Sequence, residues 1–419
     1  MSRKEREIYT GIDIGTHSIK VLTGEFLDDG SLLILGHGES PSLKMSKGEI
    51  TDVRFVLEQL RRAMSLAEEE SRVDINRWPV FLALSGRHLR IQNNVGRVDV
   101  KGAGSLVSEE EMVAAAKLAN SFAIPDDQVP LHSYMRFHRL DDGRELLNAV
   151  GQGSSTLEVE LQYVLGSRQR VNTVCGVVAD ALGTRAAAAI YTPLVIGCAA
   201  LRGEDLSEGS LSIDIGAGTT SYSVLTSIGC LQCGQYTIGC EQLANDLSVA
   251  FQITIDAGRK LVRELGTLGC SAKVQSSSQG RQIYLDRSRK SKAIPASGVE
   301  QVIELRLREL FELLRQDLIE SGAWQWVKGE VLLSGGGARI PGVQEIAREV
   351  LQLPISLARP YQTSGPSTVV TSPSYITAIG LLRCGQRDLR VQQERDMEPP
   401  RLGDSLKLVK QFFRVLVNW

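Results

Sequence analysis

The stretch that determines the fold of this chain reads LSIDIGAGTT and runs from Leu211 to Thr220. Its alternating apolar residues predict a strand, and the small residues after Asp214 predict a tight turn into a second strand. Gly216 and Gly218 lack a Cβ atom, so their backbone N–H groups can lie close to a negatively charged ligand. Asp214 stands at the end of the strand, where it can hold a cation directly or through water. The stretch therefore predicts a hairpin that binds phosphate and metal.

The N-terminal part of the chain repeats this pattern as YTGIDIGTHSIK, from Tyr9 to Lys20. A strand again ends at an aspartate, Asp13, and Gly15 and Thr16 lead into a second strand. Two hairpins of one form, about 200 residues apart, indicate two related half-molecules. We expect the two hairpins to hold one metal-bound phosphate chain between them.

A third glycine-rich segment reads EVLLSGGGARIPG. Gly335, Gly336 and Gly337 end an apolar strand immediately before the start of a helix. Such a turn lets the backbone lie flat against a purine or a phosphate and points a helix N-terminus at it. The segment is therefore a second predicted ligand contact.

Composition limits the possible classes of function. The chain has 419 residues, which suggests about two to four domains. Hydrophobic residues make up 42% and charged residues 23%, as in a soluble α/β protein. The net charge of −2 excludes an overall field that favours nucleic acid. Ser2 to Glu7 is charged and no apolar segment follows, so no signal peptide is expected.

The seven cysteines are scattered along the chain. Cys230 and Cys233 have zinc-like spacing, but there is no second pair and no nearby histidine. We therefore favour reduced cysteines of the core over a metal site, and a cytoplasmic protein.

The secondary structure predicted from periodicity alternates helices and strands. Thr51 to Glu69 is expected to form a helix, and Trp78 to Ser85 a strand buried on both faces. A strand pair is predicted from Leu89 to Val100, around Asn93-Asn94 and Gly96. Thr184 to Arg202 is expected to be a helix broken at Pro193. Residues 86–168 have too few βα alternations for a phosphate-binding lobe and suggest an α+β insertion.

The last fifteen residues, Ser405 to Trp419, differ in character from the rest. They follow a polar stretch from Arg387 to Arg401 that resembles a linker. At helical spacing one face is apolar and aromatic and the other basic, which is typical of an interfacial membrane helix. Docking on the chain's own core is the alternative. The residues expected to bind the membrane are Leu406, Lys407, Val409, Lys410, Phe412, Phe413, Arg414, Leu416 and Trp419.

The order of these parts resembles the actin, Hsp70 and sugar-kinase superfamily over essentially the whole chain. Within it the sequence resembles the FtsA family of actin-like bacterial cell-division proteins. The resemblance is carried by Gly38 to Ile50 (GESPSLKMSKGEI), by Leu84-Ser-Gly-Arg-His88, by Asn93 to Gly96, by Leu157 to Glu160 and by the amphipathic tail. It implies an α/β, actin-like two-lobe fold of duplicated ribonuclease-H-like domains, with an α+β insertion and a C-terminal amphipathic helix.

The resemblance also implies a division of the chain into parts. The first-lobe core would comprise 1–85, 169–206 and the closing helix 359–386, with the inserted subdomain at 86–168. The second-lobe core would comprise 207–241 and 300–358, with a small subdomain at 242–299 that would contact FtsZ. A linker would follow at 387–404 and the membrane-targeting helix at 405–419.

ATP and Mg²⁺ are the cofactors that the resemblance implies. Asp13 and Asp214 would orient magnesium, mainly through water. Lys20 would reach the phosphates, although its alternative is a surface lysine at a strand end. The residues implied in phosphate and adenosine binding are Gly15, Thr16, Lys20, Gly216, Gly218, Thr219, Thr220, Gly335, Gly336 and Gly337. His17 is expected to be a loop residue near the phosphates.

The chain departs from its hydrolysing relatives at several positions. Those relatives carry an acid or amide near the start of the first connecting helix to orient the attacking water, and Thr192 stands there in this chain. Residues 257–261 lack the glutamate expected beside the ribose, and contact through Arg259 or Lys260 stays open. We expect nucleotide binding with slow or negligible hydrolysis, below ~1 per second.

The implied function is structural, with no catalytic residues. An ATP-bound protein would polymerise on the cytoplasmic face of the membrane at the division site, as a peripheral protein of the septum. It would tether FtsZ there and recruit later division proteins through the 86–168 insertion. The alternatives are a pilus-assembly-type adaptor and a small-substrate kinase or phosphatase of the same superfamily.

Overall fold

A computed structural model describes residues 6–42, 44–101, 105–227, 229–267, 275–277, 280–284 and 293–397. In chain order the strands are β1 Glu7–Ile14, β2 Ser18–Phe26, β3 Leu32–Pro41, β4 Met45–Ser46, β5 Glu49–Ile50, β6 Val80–Leu84, β7 Leu89–Asp99, β8 Gln128–Leu140, β9 Glu145–Leu146, β10 Thr156–Ser167, β11 Ala188–Tyr191, β12 Ser210–Ile215, β13 Thr220–Thr226, β14 Gly229–Tyr236, β15 Gln275–Ser277, β16 Gly280–Tyr284, β17 Ala293–Pro295, β18 Val331–Ser334, β19 Ile355–Leu357 and β20 Thr363–Ser364. The helices are α1 Val53–Ser71, α2 Glu109–Ala119, α3 Arg168–Leu182, α4 Thr192–Ala200, α5 Gly203–Ser207, α6 Cys240–Phe251, α7 Ile255–Thr267, α8 Ala296–Glu320, α9 Val343–Leu351, α10 Ser367–Val370 and α11 Ile376–Met397.

Two sheets of similar design form the two lobes. The first-lobe sheet has the order β11-β6-β1-β2-β3-β20, and the second-lobe sheet has the order β14-β13-β12-β18-β19. In each sheet the strand that ends in the predicted aspartate pairs antiparallel with the next strand and parallel with a later one. The repeated hairpin seen in the sequence therefore marks a repeated sheet, and the two-lobe α/β architecture is confirmed.

Helix α4 carries the chain from the first-lobe sheet to the second. It follows β11 and leads through α5 to β12, and its apolar side chains pack between α11 and the second-lobe sheet. The prediction of one helix broken at Pro193 is wrong. Residues 188–191 form a strand, and Pro193 lies in the first turn of α4. Proline is tolerated there because the first N–H groups of a helix have no intrahelical partner.

The insertion folds around its own sheet, with the order β7-β10-β8-β9. The strand pair predicted from Leu89 to Val100 is instead one strand, because β7 pairs continuously with β10 from Leu89 to Asp99. Gly96 marks a close helix contact rather than a turn. A Cβ atom there would lie 2.0 Å from the carbonyl oxygen of Ala115 in α2.

The last described helix extends further than expected. Residues 387–397, predicted to be linker, continue α11, and Arg390 pairs with Glu7 of β1 at 2.9 Å. The rest of the predicted linker and the predicted membrane helix, 405–419, lie outside the described residues. Among the residues that the structure describes, no helix is both long enough and apolar enough to cross a bilayer.

Candidate functional site

A cavity of about 970 Å³ lies between the two lobes, and both predicted hairpins contribute to its wall. Asp13 and Asp214 occupy equivalent places in β1 and β12, opposite Lys20 and Ser221 in the neighbouring strands. All but two of the predicted phosphate, adenosine and metal residues line this one cavity: Asp13, Gly15, Thr16, Lys20, Asp214, Gly216, Gly218, Thr219, Gly335 and Gly336.

Thr220 and Gly337 lie beside the cavity rather than on its wall. Thr220 is buried, and its hydroxyl donates to the carbonyl oxygen of Ile238 at 2.8 Å. Gly337 packs on Ile215, where a Cβ atom would lie 2.3 Å from Cγ2. Both residues hold the loops in position, while their neighbours face the cavity.

The two hairpins touch each other directly. A Cβ atom on Gly218 would lie 2.4 Å from Oγ1 of Thr16, so only glycine permits this approach. The same Oγ1 accepts a hydrogen bond from the N–H of Gly48 at 3.2 Å. Each hairpin turn is closed by one backbone hydrogen bond, Gly15 to Ser18 at 3.1 Å and Gly216 to Thr219 at 2.9 Å. Two turns of the same form thus line one cavity.

The two aspartates form a partly buried negative pair. Burial raises the pKa of Asp214 to about 6; a hydrogen bond from Ser334 opposes this rise, and the neighbouring Asp13 adds to it. Burial also raises the pKa of Asp13, Lys20 lowers it, and Glu39 raises it further. A divalent cation would relieve this repulsion, so the pair fits Mg²⁺ held largely through water. Within the described residues, no group of three or more His, Cys, Asp or Glu side chains is gathered for a metal.

Glu39 and Tyr375 line the same cavity, and the sequence reasoning did not single them out. The Tyr375 hydroxyl donates to Glu39 at 2.9 Å, and Nζ of Lys20 lies 5.4 Å from the centre of the Tyr375 ring. Burial acts to raise the pKa of Glu39, but hydrogen bonds from Ser18 and Tyr375 and the charge of Lys20 hold it below its usual value. The signal available in the sequence was strand pairing, since Glu39 in β3 lies opposite Lys20 in β2.

Three further positions discussed from the sequence also reach the cavity. His17 lines it, and burial lowers the pKa of its imidazole. Thr192 lines it too, but its hydroxyl donates to the carbonyl oxygen of Leu84 at 3.0 Å. Arg259 also lines it and forms an ion pair at 2.8 Å with Glu241, a second cavity residue.

Family models match two parts of the chain. The model for "Cell division protein FtsA" matches residues 211–380, and that for the "SHS2 domain inserted in FTSA" matches residues 86–165. Together the two ranges cover more than half of the chain.

Individual proteins show the same likeness. The cell division protein FtsA of Pseudomonas aeruginosa is 27% identical over 387 residues, which cover 90% of this chain and 89% of that protein. The PilM-PilN type IV pilus biogenesis complex aligns with a TM-score of 0.61 at 16% identity, over 90% of this chain and 98% of the matched chain. MreB 5 of Spiroplasma citri bound to AMPPNP aligns with a TM-score of 0.52 at 14% identity, over 94% of this chain and 100% of that one.

The solved structures share the actin-like fold, and the related sequence from Pseudomonas aeruginosa aligns over 90% of the chain. The chain therefore belongs to the FtsA family of actin-like cell division proteins.

Proposed function

We propose that this protein binds Mg-ATP between its lobes, lies on the cytoplasmic face of the membrane through residues 405–419, and polymerises there to tether an FtsZ-like protein. The single observation that carries the nucleotide part is the convergence of both hairpins and the Gly335-Gly336 turn on one cavity. Its volume of about 970 Å³ lies in the upper range of small-molecule sites.

The residues around the cavity match the parts of a metal-bound nucleotide. Asp13 and Asp214 would hold the metal, whose positive charge offsets that of the phosphates and of the two carboxylates. Lys20 and the N–H group at Gly218 would meet the phosphate oxygens. MreB 5 of Spiroplasma citri, which shares the fold, was solved with bound AMPPNP.

Slow hydrolysis is part of the proposal. The side chain at the position that orients water in active relatives is Thr192, whose hydroxyl hydrogen is used by the backbone of β6. Glu39 is a cavity carboxylate, but it accepts hydrogen bonds from Ser18 and Tyr375 and faces the charge of Lys20. Neither group is free to act as a general base toward water.

The membrane part of the proposal rests on the sequence pattern of residues 405–419. Six large apolar side chains on one face and three cations on the other give reversible binding to anionic lipid, and polymerisation multiplies the number of anchors. The FtsZ-tethering part rests on membership of the FtsA family.

Co-sedimentation with liposomes tests the membrane and partner parts. The full chain is mixed with phosphatidylglycerol vesicles, with and without Mg-ATP and purified FtsZ. We expect it to pellet with the vesicles and to carry FtsZ with it. The matched variant lacks 405–419 and should stay in the supernatant while it still binds nucleotide. Equal pelleting of both proteins, or FtsZ that stays in solution with membrane-bound protein, contradicts the proposal.

A further inference from the structure

Two cysteines meet where α4 crosses α11. The Sγ atoms of Cys198 in α4 and Cys384 in α11 lie 2.6 Å apart, although the residues are 186 positions apart in the chain. Gly380 allows this approach, because a Cβ atom there would lie 2.1 Å from the carbonyl oxygen of Val195. Cys198 lies about one helical turn after Val195 in α4, and Cys384 lies about one helical turn after Gly380 in α11. Both cysteines are partly exposed.

The pair joins the two places where the chain passes between the lobes. The first passage is α4 itself, between β11 of the first-lobe sheet and β12 of the second. The second passage runs from β19 of the second-lobe sheet to β20 of the first, directly before α10 and α11. Thr192 at the start of α4 and Thr377 at the start of α11 both line the cavity. A covalent link between these helices would therefore join two elements that both line the cavity and that lie next to the connections between the lobes.

The surroundings of the pair favour Cys198 over Cys384 as the nucleophile in thiol–disulfide exchange. A hydrogen bond from Cys384 lowers the pKa of the Cys198 thiol. Burial and the charge of Asp388 oppose this effect, and the charges of Arg387 and Arg383 support it. The pKa of Cys384 is raised by its contact with Cys198 and by burial. A thiol of lowered pKa in contact with a second thiol is the arrangement that favours disulfide exchange.

We propose that Cys198 and Cys384 are a redox-active pair that small-molecule disulfides oxidise to an intramolecular disulfide. This disulfide links α4 covalently to α11 and restrains the motion of the two lobes relative to each other. The Cys198 thiolate attacks one sulfur of the small disulfide, forms a mixed disulfide and releases one thiolate. Cys384 then loses its proton, attacks the sulfur of Cys198 and releases the second thiolate. The protein loses two protons and two electrons, and the small disulfide is reduced to two thiols.

The bond needs little rearrangement. A disulfide is about 2.05 Å long, so the sulfur atoms need to move only slightly from their present separation. In a reducing compartment such a bond is transient, and its partly exposed position leaves it open to reduction. Oxidation therefore makes lobe motion depend on the thiol–disulfide balance.

Oxidised glutathione and the full-length protein test the first half of the proposal. After treatment we expect two free thiols to be lost, an intact mass lower by two hydrogen atoms, and a linked peptide containing both cysteines. Cys198→Ser and Cys384→Ser should each abolish the link. Cys175→Ser is the matched control and should leave the link intact, because burial raises the pKa of Cys175 to about 11 and it has no thiol partner in α3. A glutathione adduct on either cysteine without the peptide link overturns the proposal.

Hydrogen exchange and thermal unfolding test the second half. Oxidised wild-type protein should exchange more slowly in α4 and α11 than the reduced protein, and its melting temperature should rise by about 5 °C, as expected for a long closed loop. Reducing agent should reverse both changes. If the disulfide forms and neither the exchange rates nor the melting temperature changes, the proposed restraint of the lobes is wrong.

Discussion

Gly335, Gly336 and Gly337 follow β18 directly, yet the structure separates their roles. Gly335 adopts a φ of 84°, and a Cβ atom there would lie 2.5 Å from the carbonyl oxygen of Ile215. Gly336 faces the cavity, and a Cβ atom would meet no protein atom within 4 Å. Gly337 packs on Ile215. Packing therefore requires a glycine at position 337 but leaves open space beside position 336.

Substituting Gly336 and Gly337 by alanine should affect two different properties, ATP binding in the first case and stability in the second. Gly336→Ala should leave the free energy of unfolding within ~0.5 kcal/mol of wild type and weaken ATP binding roughly tenfold, about 1.4 kcal/mol, because its methyl group enters the ligand space. Gly337→Ala should cost ~1–3 kcal/mol of stability through overpacking. Denaturant unfolding and calorimetric titration measure both. Gly176→Ala in α3 also adds a methyl group to open space and is the binding control. Unchanged ATP affinity in Gly336→Ala would place the adenosine elsewhere.

His132 should make stability depend on pH. The side chain is buried, its Nε2 accepts the N–H of Tyr191 at 2.8 Å, and burial lowers its pKa from 6.5 to about 3. Between pH 6.5 and pH 3 the unfolded chain binds a proton at His132 more readily than the folded chain does. The free energy of unfolding therefore falls as the pH falls through this range, and it is unaffected by His132 above pH 6.5. Between pH 7 and pH 5 the loss is about 2 kcal/mol.

The measurement is the unfolding free energy at pH 7 and pH 5 for wild type and His132→Gln. Glutamine offers an acceptor to Tyr191 but does not titrate in this range. The wild type should lose about 2 kcal/mol more than the variant. Equal losses in both proteins would show that other groups set the acid sensitivity.

Elements of the insertion contact the second lobe through buried polar groups. Arg136 of β8 is almost fully buried; it pairs with Glu160 of β10 at 2.7 Å and donates to the carbonyl oxygens of Leu231 and Ser321 at 2.8 and 2.6 Å. Tyr134 of β8 lies 3.0 Å from Sγ of Cys233 in β14. This places the Cys230–Cys233 segment in the core next to the insertion. The contact explains how an inserted subdomain is held in a defined orientation.

Removing Arg136 should strongly destabilise this contact. Arg136→Met leaves Glu160 buried without its cation and two carbonyl oxygens without a donor, at an expected cost of ~3–5 kcal/mol. The double variant Arg136→Met, Glu160→Leu removes the orphaned charge, so the two effects should be non-additive by ~1–3 kcal/mol. Denaturant unfolding of the wild type, both single variants and the double variant measures this coupling. Additive costs would show that Arg136 and Glu160 are not energetically coupled.

The two lobes enclose the cavity, and each lobe supplies one aspartate and one hairpin to its wall. A ligand bound by both lobes stabilises both, because it binds only the folded arrangement. If Asp13 and Asp214 share a metal, as proposed, this stabilisation would also depend on magnesium.

Mg-ATP should therefore raise the stability of the entire chain. At about 100 times its dissociation constant we expect ~2.7 kcal/mol, seen as a concentration-dependent rise in melting temperature. ATP with a chelator, or Asp214→Asn with Mg-ATP, should give a much smaller rise. Hydrogen exchange should slow in both sheets together. Equal stabilisation with and without magnesium, or protection of one lobe only, contradicts a shared site.

Much of the fold and most of the candidate site follow from local sequence patterns. Alternation and glycine spacing identified both hairpins, and periodicity located helix α1 to within two residues at each end. These signals are local, because a strand–turn–strand unit is encoded within about a dozen residues. The residues that line the cavity from the hairpins were therefore predictable.

Contacts between distant segments decided the rest. Local pattern could not distinguish a turn at Asn93–Gly96 from a continuous strand against α2, nor a linker after Gln386 from a helix that pairs with β1. Glu39, Tyr375 and the Cys198–Cys384 pair depend on segments that meet only after folding. The sequence by itself determined the two hairpins and the glycine turn, because their signals lie in neighbouring residues. Tertiary structure decided which side chains share the cavity, because strand pairing and helix crossing bring together residues that are hundreds of positions apart.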